Sequence, residues 1–339
     1  MRQVKQMNYE SVSLKAKTLA QASLVWITLL AASPLAFAND APTLRLHPAE
    51  RVAAATKTAI LGAARAGGRI VAVGDHGVVL LSDDDGRTFR QARSVPTDLT
   101  LTAVSFADSA KGWAVGHGGV ILATDDGGET WRLQREDLKV DQPLFAVFFS
   151  NASEGWAVGL WSLVLHTSDG GRTWTTVTLP PPEGAKKADK NLYAIFPGKD
   201  GALFITSEQG VMLRSVDGGA NWTYLQTGYK GSLWTGVTLK DGTVVAGGLR
   251  GSLLASSDNG TTWATAKSEM KSSITALAQE SGGAVVAVGL DGAVLKSNDG
   301  GKTFAGVNRE DRAPLTAVLP KADGRLVLFS GNGPVAASN

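Results

Sequence analysis

Short apolar runs alternate with short polar turns along nearly the whole chain after residue 58. Residues 101–134 show the pattern: LTAVSF, then ADSAKG; WAVG, then HGG; VILAT, then DDGGE; then TWRLQ. Short apolar runs bounded by Gly, Asp, Asn and Ser are strand signals. No segment after residue 38 sustains a helical period. Each unit is therefore predicted to form four antiparallel strands, named A to D in chain order.

The turn between C and D recurs six times: SDDDGRTF (82–89), TDDGGETW (124–131), TSDGGRTW (167–174), SVDGGANW (215–222), SSDNGTTW (256–263) and SNDGGKTF (297–304). Their starts lie 42, 43, 48, 41 and 41 residues apart. A four-stranded unit of roughly 40–45 residues, repeated, is the signature of a β-propeller. Seven units are predicted, starting near residues 59, 101, 144, 192, 233, 274 and 315, in a single domain over 39–339. The seventh has no box and lacks its D strand, so PTLRLH (42–47), which has strand character, is expected to supply that strand and close the ring.

The box is read as a folding device. The Ser or Thr hydroxyl and the Asp carboxylate can satisfy backbone N–H groups inside the turn. These Asp residues are Asp84, Asp126, Asp169, Asp217, Asp258 and Asp299. The terminal Trp or Phe can bury a large apolar area between blades. Six equivalent copies point to architecture, since a catalytic group is needed once. The Asp-rich turns also resemble a calcium loop, but the EF-hand's later bidentate Glu is missing.

Composition changes the picture in two places. There is no Cys, which excludes disulfides, thiolate metal sites and a Cys nucleophile. Of the 33 Lys and Arg and 31 Asp and Glu, four and one lie in the first 38 residues, leaving 29 against 30. No basic stripe remains, so nucleic acid is not an expected partner. The first 38 residues themselves read as a signal peptide: basic residues, the apolar run LVWITLLAASPLAFA (24–38), and a small-x-small end at Ala36-Phe37-Ala38. Export to a periplasm, or to a thylakoid-type lumen, is expected.

The boxes are the Asp-box, or bacterial neuraminidase repeat. The longer stretch VGHGGVILATDDGGETW (115–131) closely resembles the repeat of the photosystem II stability/assembly factor family, and residues 158–174 and 288–304 match it less fully. The resemblance extends over essentially all of 39–339. It implies an all-β seven-bladed propeller and a non-enzymatic, lumenal factor that helps assemble a membrane complex. It also implies an arginine-rich patch on one face in photosynthetic members. Of the B–C turns here, only Leu249-Arg250 supplies an arginine.

In such a blade the B–C turns and D–A links share one face, and the boxes lie on the other. Loops on a rigid scaffold usually carry function. The candidate binding residues are therefore Trp161, an aromatic in a turn that is elsewhere Gly-rich or polar; Arg250; Tyr229 and Lys230 in a D–A link; and His76 and His117. Trp161 serves equally as a cover over a loop. Asp75, His76 and His117 contain the residue types of a zinc site, but turn residues are ordinarily solvated, and no metal or other cofactor is expected. The link PPPEGAKKADKN (180–191) reads as a surface loop or a docking loop.

Three functions compete. The first is an exported, non-catalytic factor, expected as a monomer, that holds a membrane protein or complex at the outer face of the inner membrane. The second is a sialidase-like glycosidase. Only Tyr193, Tyr224 and Tyr229 could then act as nucleophile, and no RIP-type arginine motif stands near the first blade. The third is a glycan or cell-wall binding module using Trp161 and Trp234. The first is the expectation carried forward.

Overall fold

The computed structural model describes residues 45–140 and 142–335. Residues 1–38, read above as a signal peptide, and residues 42–44 of the expected closing strand lie outside them. Among the described residues the chain forms seven antiparallel sheets in sequence order, six of four strands and one of three. This is the all-β seven-bladed propeller. The A strands start at Ile60, Leu101, Leu144, Leu192, Leu233, Ile274 and Leu315. Blade 2 shows the plan: Leu101–Phe106, Gly112–Gly116, Ile121–Thr124 and Arg132–Arg135. The remaining regular elements are short 3-10 turns, and among the described residues no helix is long and apolar enough to cross a membrane.

Strands A are innermost, and each touches the strand A of the next blade, including first with last. Strands B and C are almost wholly buried, because the blades stack face to face and cover both sides of each sheet. The box of each blade then seals the blade before it. Trp131 joins the cluster of Val71, Leu81 and Val120, and Phe89 of blade 1 meets Phe329 of blade 7 edge to face at 5.7 Å.

The expected closing strand is not seen among the described residues. Arg45–His47, the described part of 42–47, has no strand conformation. Leu46 and Ala49 instead pack on the cluster shared by blades 1 and 2, and the Ala49 N–H donates to Val95 O. A strand-like composition does not name its partner, and here the apolar cluster captured Leu46. The ring closes through side chains: Thr316 Oγ1 donates to Ile60 O, and Arg65 donates to Pro320 O while pairing with Asp85.

All six boxes form one hydrogen-bond set. In the third, Thr167 Oγ1 donates to Asp169 Oδ1 at 2.8 Å and accepts from Gly171 N–H. Asp169 also accepts from the Thr173 N–H and hydroxyl at 2.9 and 2.7 Å. These bonds to Thr173 and Thr167 hold the Asp169 carboxyl down at about 2. Asp217 and Asp258 are likewise lowered to about 2, and Asp84, Asp126 and Asp299 are lowered by equivalent bonds.

Candidate functional site

The B–C turns and D–A links form one face. In five blades the first turn residue donates its N–H into the link that precedes strand A: Asp75 to Ala59 O, His117 to Thr100 O, Leu160 to Pro143 O, Leu249 to Ser232 O and Leu290 to Ser273 O. The second residue is left-handed in six turns, at His76, Gly118, Trp161, Gln209, Arg250 and Asp291. The third is glycine in five of these, and the reason is visible at Gly77. It is itself left-handed, and a Cβ there would collide with the Thr97 carbonyl oxygen.

Blade 3 breaks this pattern. Its turn is Leu160–Ser162, with Trp161 at φ 53 and Ser162 at φ 59. Two consecutive non-glycine residues in this region cost roughly 1–2 kcal/mol each. The long link holds them there: Ser162 N–H donates to Lys190 O at 2.7 Å, and Trp161 N–H donates to Asn191 Oδ1 at 3.3 Å. The Trp161 side chain is not buried in return; the residue is 56% exposed. Such strained backbone persists only where the surrounding structure over-determines it.

The other candidates fall into three places. Arg250 is exposed on the blade 5 turn, its N–H held by Ser273 Oγ. Tyr229 is half-buried and donates its hydroxyl to Leu249 O at 2.9 Å, so it props that turn. Lys230 borders a groove of about 520 Å³ with Lys190 and Gln209, which are themselves bonded. His76 lies on blade 1, in a cavity of about 470 Å³ with His47 and Asp98. His117 is exposed on blade 2. Asp75 accepts from the Thr100 hydroxyl, and among the described residues no three His, Asp or Glu gather as a metal site.

The sequence reading named Trp234 and Tyr193 singly but did not place them at one position of the innermost strands. The second residue of strand A is Leu61, Thr102, Phe145, Tyr193, Trp234, Thr275 and Thr316 in blades 1 to 7. Each Thr donates across to the next blade's strand A, as Thr102 Oγ1 does to Leu144 O and Thr275 Oγ1 to Leu315 O, both at 2.7 Å. Blades 3 to 5 place three partly exposed aromatics at this position instead. Phe145 and Tyr193 stack with centroids 5.9 Å apart. Aligning the repeats at this position would have revealed the arc, which lies on the same blades as Trp161 and Arg250.

Tyr193 donates its hydroxyl to Glu208 Oε1 at 3.3 Å. Burial, and the nearby Glu208 charge, push the phenol pKa up. The hydroxyl stays protonated, and among the described residues no arginine bonds to Tyr193 or Glu208.

Residues 91–253 match the family described as photosynthesis system II assembly factor YCF48. No curated protein matches the chain. Among solved structures, YCF48 bound to D1 peptide superimposes with a TM-score of 0.68 at 20% identity, covering 86% of this chain and 97% of that one. YCF48 from Cyanidioschyzon merolae gives 0.65 at 16% identity, covering 84% and 97%. Identity this low shows the shared fold alone. The family match spans the central repeats, just under half of the chain, and there the chain is similar to the photosystem II assembly factors.

Proposed function

We propose that the protein is an exported, non-catalytic accessory or assembly factor that holds a membrane protein or complex through its B–C face. The observation that carries this reading is Trp161, an exposed aromatic on a left-handed backbone that the link 180–191 holds in place. Aromatic and Arg anchors dominate protein interfaces, and Arg250 stands on the same face. The family match and the solved YCF48 relative with a D1 peptide support a protein partner over a sugar. The signal-like first 38 residues support an extracytoplasmic location, in a periplasm or a lumen, and the protein acts there as a monomer. With Arg250 as the one arginine of the B–C turns, the partner is gripped mainly by apolar contact.

The test is affinity purification of the tagged protein from its own host after mild crosslinking and gentle membrane solubilisation. One integral membrane complex should be recovered reproducibly, and Trp161→Ala or Arg250→Ala should reduce its yield. Recovery of the protein alone, or of a complex indifferent to both changes, would contradict the reading.

A further inference from the structure

A groove of about 790 Å³ opens at the blade 5–6 junction, and Met270 in its wall packs on Gly251 of the blade 5 B–C turn. Its walls are the link Ala266–Met270 and the start of the outer strand Ala305–Asn308. Leu295 and Phe304 form its floor. The link and the strand are joined at one end. Lys267 N–H donates to Lys302 O at 2.9 Å, and Phe304 N–H donates to Lys267 O at 2.8 Å, a parallel bridge. Beyond that bridge they diverge, and the groove lies between them.

The blade 1–2 junction shows the same architecture with a segment of this chain laid over it. There Ser94 makes the equivalent parallel bridge, to Thr130. Leu122 and Trp131 stand at the box offsets of Leu295 and Phe304. The next link residue is the buried Val95, where blade 5 has Ser268. Two residues after the box aromatic comes Leu133, where blade 6 has Gly306. No side chain fits at 306, because a Cβ would collide with the Val294 carbonyl. Blades 1 and 2 are further covered by an extended piece of this same chain: Ala49 N–H donates to Val95 O at 3.0 Å, and Leu46 and Ala49 pack on the cluster of Val95, Leu122 and Trp131.

We infer that the blade 5–6 groove takes an extended segment of a partner protein, bound as Arg45–Ala49 is bound at blades 1–2. The segment's N–H meets Ser268 O, the equivalent of Val95 O. An aliphatic side chain lies over Leu295 and Phe304. The backbone alternation that turns Phe304 N–H toward the link turns Gly306 the same way, so the strand edge continues the parallel pairing. The edge itself invites this. Ala305, Gly306 and Val307 are exposed and uncharged, with Val307 at 69%, whereas edges kept free of partners usually carry charge. Strand addition with one side-chain pocket is a recurring mode of peptide recognition. The site is separate from Trp161, which stands on the blade 3 turn.

The test uses a fluorescein-labelled peptide of sequence LRLHPAERV, residues 44–52 of this chain, as the probe and the full chain as the receptor. Fluorescence anisotropy should show saturable binding, weakened at least about tenfold by Ser268→Trp and less by Ser268→Val. Melting temperature checks that both variants fold. Trp161→Ala should leave the affinity unchanged. A peptide carrying Leu46→Asp should bind more weakly. Absence of saturable binding to the wild-type chain would overturn the inference. Equal affinity for the wild type and a folded Ser268→Trp would overturn it as well.

Discussion

The hydroxyl of Thr316, in the last blade, donates a 2.5 Å hydrogen bond to the carbonyl of Ile60, in the first. The same bond joins blades 2 and 3 and blades 6 and 7, so the ring closes with the device used inside it. Thr316→Val keeps the shape and removes the donor. It is expected to lower unfolding free energy by about 1 kcal/mol, read from urea denaturation. No change in the midpoint would show that closure rests on the Phe89–Phe329 contact and Arg65 instead.

The boxes set a limit in acid. Each box Asp has its folded pKa lowered by hydroxyl and backbone donors, to about 2 for Asp169, Asp217 and Asp258. Unfolded Asp titrates near about 3.9. A depressed carboxyl contributes stability that is fully present above the unfolded value and is lost as pH falls through the folded one. Melting followed by circular dichroism should therefore be flat from neutral pH to about 5, then fall steeply between about 4 and 2. Asp169→Asn combined with Asp217→Asn should lower the neutral-pH melting temperature and flatten the acid limb. An unaltered limb would remove the boxes as its cause.

Two tryptophans should behave oppositely. Trp131 is buried between blades and bonds Gly128 O through its indole N–H. Trp131→Ala is expected to cost about 3–5 kcal/mol. Trp161 is exposed on strained backbone, so Trp161→Gly should leave stability unchanged or raise it by up to about 1 kcal/mol, while partner recovery falls. A large loss of stability in Trp161→Gly would mean that the side chain covers the link.

Much of the architecture was written in the turns. The variable residue before each box glycine is Asp85, Gly127, Gly170, Gly218, Asn259 or Gly300, and all six are left-handed. Those types tolerate that conformation, so the sequence pattern and the backbone agree. The closing segment was not legible, because 42–47 carries strand composition without naming its neighbour, and Leu46 settles on blades 1 and 2. At the candidate site, Trp161 could be picked out by type, but its strain is a dihedral property. The arc of Phe145 and Tyr193 was hidden because its meaning depends on which strand is innermost. Tyr229 read as a contact residue, yet its hydroxyl holds the Leu249 carbonyl.

The most direct measurement places a photoreactive amino acid at each face in turn and crosslinks in the native host. Position 209 lies on a B–C turn beside Lys190, and position 216 lies in a box with Val216 69% exposed. A partner held by the B–C face should crosslink from 209 and not from 216. The same membrane-derived product from 216 alone, or equally from both, would contradict the account.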